Sequence, residues 1–162
     1  MRARADRDVN YLVASLRDPE FRHLAATTLG QIGAREATPT LLPLLDTSDQ
    51  FIRIAAARAL GRLRAVQGLP RLLELAEADP LPVVQSWALF AAAMIGGDTV
   101  RTRLLTLIDS PEPSTRALAL AGLLRLGDPI DVADARQHVR RLGWRQRREV
   151  RRVGRKLAQR PS

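Results

Sequence analysis

The apolar residues of this chain recur three and four positions apart in four stretches of similar sequence. The stretches are DPEFRHLAATTLGQIG from Asp18, DQFIRIAAARALGRLR from Asp49, LPVVQSWALFAAAMIG from Leu81 and EPSTRALALAGLLRLG from Glu112. Apolar positions at this spacing share one face of an α-helix, so each stretch predicts an amphipathic helix. The stretches begin 31, 32 and 31 residues apart, and this regular period predicts a repeat protein.

A second, shorter apolar set separates these stretches. Equivalent places in it are held by Val13, Leu44, Leu75 and Leu107. Each repeat unit is therefore expected to be a helical hairpin with the long stretch as its second helix. Pro39 and Pro70 hold equivalent positions at the expected start of two first helices, where a residue without an N–H is well tolerated.

Residues that favour helix ends stand at the borders of the second helices. Aspartates are expected to cap their N-termini, and glycines are expected to end them in the left-handed conformation. The aspartates are Asp18, Asp49 and Asp79, and the glycines are Gly33, Gly96 and Gly127. Two further glycines, Gly30 and Gly61, lie inside predicted helices, where glycine is unfavourable. We therefore expect a neighbouring backbone to approach closely at those two positions.

The chain after residue 128 has the character of a fifth unit with fewer apolar residues. Its helices are expected at about 129–142 and 144–160, with Val150, Val153 and Leu157 as the remaining apolar set. A terminal repeat exposes one face to water, which accounts for the thinning. The predicted fold is an all-α solenoid of about five helical hairpins, four clear and one eroded at the C-terminus. Residues 1–142 are predicted to form the repeat array, and residues 143–162 either a basic C-terminal helix or the eroded last repeat.

The units share the pattern D-P-x-[apolar]-R-x-x-A-A-x-x-L-G-x-[apolar]-G. The first unit matches it with Asp18, Arg22, Ala25, Leu29 and Gly30, and the second with Asp49, Arg53, Ala56, Leu60 and Gly61. The third unit departs from it at Gln85 and Ala93, and the fourth keeps Arg116 but has Leu124 in the glycine position.

This pattern resembles the short HEAT repeats, specifically the type found in phycobilisome bilin lyases, over roughly residues 9–142. The resemblance implies a helical array used for protein interaction. It also implies two alternatives, because some HEAT-like arrays grip duplex DNA and others take part in bilin attachment.

Composition removes several kinds of site. The chain has no Cys and two His, which excludes disulfides, thiolate zinc sites and thiol nucleophiles. The sequence contains neither a glycine-rich phosphate loop nor a G-x-S-x-G motif. We therefore expect no catalytic residue, no metal, no cofactor and no enzymatic activity. No apolar run approaches 18 residues, and the first residues lack a signal-peptide pattern, so a soluble cytoplasmic protein is expected.

The third unit carries a candidate contact surface. Trp87, Phe90 and Met94 stand at i, i+3 and i+7, on the side of their helix turned away from its own core positions. Second helices usually line the concave side of such arrays, so this stripe is expected to bind a partner there. The other residues expected at this site are Arg58, Arg62, Arg125 and Ile54. Their charge favours an acidic peptide or protein with an apolar anchor. The alternative is that the large side chains fill space against a neighbouring helix.

The positive charge is concentrated at the C-terminal end. Residues 135–162 hold 11 basic residues and Glu149, giving +10, whereas residues 1–134 hold 15 basic and 16 acidic residues, giving −1. The expected anion-binding residues are Arg147, Arg148, Arg151, Arg152 and Arg155. Nucleic acid, an acidic protein, an anionic membrane surface and a solvated tail all remain open for this segment, which is expected to be separable from the repeats.

These features predict a non-catalytic scaffold or adaptor that binds a protein partner on the concave face. A nucleic-acid-binding module that uses the basic C-terminal helix for phosphate contacts is the first alternative. An enzyme of the bilin-lyase type is the second, and it follows from the family resemblance only.

Overall fold

Ten α-helices make up most of the part of the chain, residues 2–158, that this computed structural model describes. They are α1 Arg2–Ser15, α2 Arg22–Ile32, α3 Thr38–Leu41, α4 Gln50–Leu63, α5 Leu69–Ala78, α6 Pro82–Ile95, α7 Asp98–Leu105, α8 Pro113–Leu126, α9 Pro129–Arg141 and α10 Trp144–Ala158. The protein is 81% helical without strands in the described residues. The expectation of an all-α fold with about ten helices is confirmed.

The helices form five hairpins that fall into two compact units, each described here by itself. Residues 2–95 hold three hairpins, in which α4 packs between α2 and α6 and α5 packs on α6. Residues 96–158 hold two hairpins, in which α8 packs against α7, α9 and α10. Consecutive second helices thus lie side by side within each unit, which is the packing expected of HEAT-like repeats in an α-solenoid.

The first helix of the second hairpin is irregular. It consists of the short α3 between two 3-10 helices, Arg35–Ala37 and Leu42–Asp46. Pro43 lies in the second of these. Because proline has no N–H to donate and its ring clashes with the carbonyl four residues earlier, an α-helix cannot continue regularly through it. The hairpin therefore keeps its helical path with a tighter last turn.

The predicted helix ends are largely found in the structure. The Asp49 carboxylate accepts a hydrogen bond of 2.8 Å from the Phe51 N–H and caps α4. The carboxylates of Asp18 and Asp79 make the same bond to the N–H two residues later, although their helices begin further on. Gly33, Gly96 and Gly127 all have positive φ, as expected. Arg64 takes this left-handed conformation, with φ 52°, after α4, where the chain has no glycine.

The two glycines inside helices lie at close contacts between neighbouring second helices. A Cβ atom placed on Gly30 would stand 2.6 Å from Cα of Ala59, and one on Gly61 would stand 2.8 Å from Cα of Ala91. Both distances are shorter than any tolerated Cβ contact, and the atoms that obstruct are backbone atoms. The expected close approach is confirmed, and it explains why these positions require glycine despite its poor helix propensity.

The basic C-terminal helix is packed within the second unit. Val150 and Leu157 of α10 are buried, and α10 packs chiefly against α8. The division between the compact units falls at residues 95 and 96 and leaves α10 together with α7, α8 and α9. The expectation that this helix is separable from the repeats is therefore at odds with the structure, in which α9 and α10 form the fifth hairpin.

Candidate functional site

One residue near the start of each second helix holds the preceding loop. Its side-chain N–H groups donate to backbone carbonyl oxygens five to seven residues earlier. In the first hairpin, Nε of Arg22 lies 2.7 Å from the carbonyl oxygen of Leu16. We call these contacts the loop clamps. The clamp residues are Arg22, Arg53, Gln85, Arg116 and Arg147. Gln85 thus performs the task of the arginine that the third unit lacks, and the repeated arginine of the sequence pattern is structural.

Two of the expected anion-binding residues make hydrogen bonds within the protein. The guanidinium of Arg147, one of the clamp residues, donates to the carbonyl oxygens of Leu142 at 2.7 Å and Arg140 at 2.8 Å. Arg152 is also engaged, because it donates to the Glu149 carboxylate at 2.6 Å. This hydrogen bond and the carboxylate charge raise the pKa of Arg152. Both side chains are nevertheless exposed, and the anion-binding role expected of them stays a prediction.

Three second-helix residues of the first unit form a cluster at the expected contact surface. Trp87 and Phe90 of α6 meet edge to face, with ring centroids 5.5 Å apart and an interplanar angle of 77°. The guanidinium carbon of Arg58, from α4, lies 4.8 Å from the centroid of the Trp87 ring. Both geometries are favourable for aromatic and cation–π interactions. The indole ring is therefore held from two sides while it stays partly accessible to solvent.

We call this region the α4–α6 surface, which comprises Ile54, Arg58 and Arg62 of α4 and Trp87 and Phe90 of α6. All five side chains are half-buried. Burial lowers the pKa of Arg58, and the neighbouring positive charge of Arg62 lowers it further. An arginine stays charged at neutral pH despite such a shift. Two adjacent cations beside two aromatic rings favour a ligand that is both apolar and negatively charged.

Two further residues, Met94 and Arg125, were expected at this surface and are described separately. Met94 is only 6% exposed and belongs to a buried run with Ala91 and Ala93. Its flexible side chain fills space among small residues, which is the alternative that the sequence left open for the whole stripe. Arg125 is half-buried in α8, which belongs to the second unit.

The structure adds two apolar residues that the sequence analysis missed. Phe51 and Val83 hold equivalent positions, two residues before Arg53 and Gln85, and they are 63% and 46% exposed. Each stands one turn before the α4–α6 surface on its own helix. The sequence could have indicated their exposure, because both are large apolar residues that lie outside the core spacing of their stretches.

Other kinds of site find no support in the described residues. Among the described side chains, those of residues 8–128 and 131–158, His, Asp and Glu form no group suited to a metal ion. Within residues 2–158, no helix combines the length and the apolar character that crossing a membrane requires.

The chain belongs to the HEAT-repeat family, because a model of HEAT repeats matches residues 9–93, more than half of its length. This confirms the family resemblance of the sequence pattern. The chain is 30% identical over 142 residues to the uncharacterized phycocyanin operon protein Z of Pseudanabaena tenuis, with 78% of this chain and 68% of that protein covered.

Two further relatives carry the name phycocyanobilin lyase subunit alpha. The protein of Synechococcus elongatus is 39% identical over 60 residues, covering 37% of this chain and 22% of its own length. The protein of a Nostoc species is 33% identical over 86 residues, covering 48% of this chain and 31% of its own length. The chain thus spans less than a third of either lyase subunit.

Proposed function

We propose that this chain is a non-catalytic scaffold that binds a protein partner through the α4–α6 surface. The observation that carries the proposal is the Trp87–Phe90 pair, with Arg58 across the indole ring. Rigid aromatic side chains and arginine are the residue types that most often dominate binding energy at protein interfaces. Membership of a repeat family that commonly serves protein interaction supports the same reading.

The chemistry of the surface defines the partner. Phe90 and the half-buried Ile54 offer an apolar seat for an aliphatic or aromatic anchor. Arg58 and Arg62 beside this seat attract carboxylates and repel basic segments. The partner that fits best is a helical or extended segment with one or two large apolar residues flanked by aspartate or glutamate.

Serine at Phe90 is expected to reduce partner binding at least tenfold while the free energy of unfolding changes by about 1 kcal/mol or less. The ring contributes to binding because a partner would cover its exposed part. The measurement is capture from an extract of the source organism on immobilised protein, followed by the Kd of the captured partner for each variant.

The matched control is Val66→Ser, which changes an apolar residue that is also exposed but lies in the 3-10 helix before α5. This control should bind as the wild type does. Equal binding by Phe90→Ser, or a loss of several kcal/mol of stability in that variant, would contradict the proposal, since Phe90 would then be dispensable or a core residue.

A second candidate function is participation in bilin handling, and the two relatives named phycocyanobilin lyase subunit alpha favour it. A bilin combines a long conjugated apolar body with two carboxylates, which complements aromatic rings beside Arg58 and Arg62. Titration of the same three proteins with phycocyanobilin separates the candidates. An absorption shift with the wild type and Val66→Ser, absent from Phe90→Ser, favours bilin handling, and no shift in any of them favours the protein scaffold.

A further inference from the structure

The outward side of α10 carries a dense row of basic residues. We call it the α10 basic face, which comprises Arg145, Arg148, Arg151, Arg155 and Lys156, all of them exposed. At 100° per residue, Arg148 and Arg155 lie near the middle of the exposed side. Arg151 and Lys156 lie on its two flanks, about 140° apart. From Arg145 to Arg155 the row extends about 15 Å along the helix axis.

The charges of this face have little compensation from the protein. Among the residues that the structure describes, Arg148, Arg151 and Arg155 have no carboxylate within ion-pairing distance, and Glu149 pairs with Arg152. Like charges three and four residues apart on a helix repel one another. The helix nevertheless holds this row in a fixed position, because Val150 and Leu157 on its other side are buried in the second unit.

We infer that the α10 basic face binds the phosphate backbone of a nucleic-acid duplex. A helix that approaches a groove of a duplex has phosphates on both sides, and the major groove is about 12 Å wide. Charges in the middle and on both flanks of the exposed side suit that arrangement. The affinity would depend on the number of phosphate contacts and would be the same for different base sequences, because phosphate contacts carry no sequence information.

Other anionic partners fit the face less well. A helix that binds a membrane surface inserts its apolar side, but the apolar side of α10 is buried against its own unit. A protein interface has an apolar centre that becomes dry on binding, and the middle of this face is charged. A single strand needs several aromatic rings for base stacking, and Trp144 is the one aromatic residue after residue 95.

The number of available charges sets the salt dependence. Five phosphate contacts correspond to a slope of about −4.5 for log Kobs against log salt, so a rise from about 50 to about 200 mM weakens duplex binding roughly 500-fold. This salt dependence can be measured on the 162-residue chain, and it does not depend on the α4–α6 surface.

The test is fluorescence anisotropy of the full chain with a labelled 20-base-pair duplex DNA in a salt series. Arg148→Gln with Arg155→Gln removes two charges from the face and should lower the slope to about −2.7. The matched control, Arg17→Gln with Arg35→Gln, removes two exposed charges from the first unit and should keep the wild-type slope. Circular dichroism checks that both double variants stay helical.

One substitution, Glu149→Gln, is expected to strengthen duplex binding. Glu149→Gln removes the carboxylate that engages Arg152, so one more guanidinium becomes available to phosphate. The slope should then steepen by about one unit, and the duplex should be bound more tightly at every salt concentration. A loss of structure is expected to weaken binding. Tighter binding by Glu149→Gln therefore indicates an added charge on the α10 basic face and not a change in folding.

Several results would overturn the inference. They are no binding of the duplex at 50 mM salt, equal slopes for the two double variants, or weaker binding by Glu149→Gln. Vesicles of phosphatidylserine and phosphatidylcholine, and polyglutamate, serve as the other anionic probes. Tighter binding to either of them than to the duplex, lost in the Arg148→Gln, Arg155→Gln variant, would assign the face to a membrane or to an acidic protein instead.

Discussion

Alanine at Asp79 is expected to lower the free energy of unfolding by about 3–5 kcal/mol, because it leaves a buried guanidinium without its counterion. Arg53 and Asp79 are 7% and 5% exposed. Their two parallel hydrogen bonds measure 2.9 and 3.1 Å and join the second hairpin to the third. Arg53 also holds the carbonyl oxygens of Thr47 and Ser48, so the arginine cannot move to solvent without releasing the loop.

The chain offers a matched control for this prediction in the first unit. Asp46 pairs with Arg71 at 2.7 Å, but both side chains are exposed. Asp46→Ala should therefore cost no more than about 1 kcal/mol. Urea unfolding followed by circular dichroism measures both variants. If Asp79→Ala were no more destabilising than Asp46→Ala, the buried pair would not hold the two hairpins together.

Alanine at Leu157 is expected to destabilise the second unit by about 2–5 kcal/mol, which is the usual cost of removing most of a fully buried leucine. Leu157 is fully buried, although the helix around it is strongly basic. The measurement is urea unfolding of the full chain, compared with Trp144→Ala at the other end of the same helix. Trp144 is 68% exposed, so its replacement should change stability by about 0.5 kcal/mol or less.

The stability of the Leu157→Ala variant also shows whether α10 is packed against α8 in solution. A stability equal to that of the wild type would mean that the basic helix is detached from α8 in solution. The α10 basic face would then belong to a detached segment, and truncation after Leu142 would remove its salt-dependent binding while the repeats stay folded. We expect instead that truncation at this point unfolds part of the second unit.

The repeats, the hairpins and most helix ends could be predicted from the sequence because they depend on local patterns. A period of 31 to 32 residues and apolar residues at helical spacing need no knowledge of neighbouring helices. Even the close contacts at Gly30 and Gly61 could be predicted, since glycine inside a helix is unfavourable unless a neighbour requires it. The break at Pro43 follows from the missing N–H in the same local way.

The contents of the candidate surfaces were harder to predict because they depend on partners distant in sequence. Helical geometry placed Met94 on the same side as Trp87 and Phe90, yet burial at that point is set by how the neighbouring helices pack. Charge alone placed Arg147 with its neighbours, and its clamp to the Leu142 carbonyl depends on the path of a loop. The pair of Arg53 and Asp79 spans 26 residues, and helical periodicity contains no information on such a contact.

The most direct test of the proposed scaffold function is site-specific photocrosslinking at the α4–α6 surface. Ser86 of α6 is exposed and precedes Trp87 in the helix. A photoreactive phenylalanine analogue at this position can reach a bound partner while all five residues of the α4–α6 surface are kept. Gln67, exposed in the 3-10 helix before α5, is the control position. We predict that the partner captured by the wild-type protein crosslinks from position 86 and not from position 67, and that Phe90→Ser abolishes the crosslink. Crosslinking from position 67 alone, or an undiminished crosslink in the Phe90→Ser background, would contradict the assignment of partner binding to this surface.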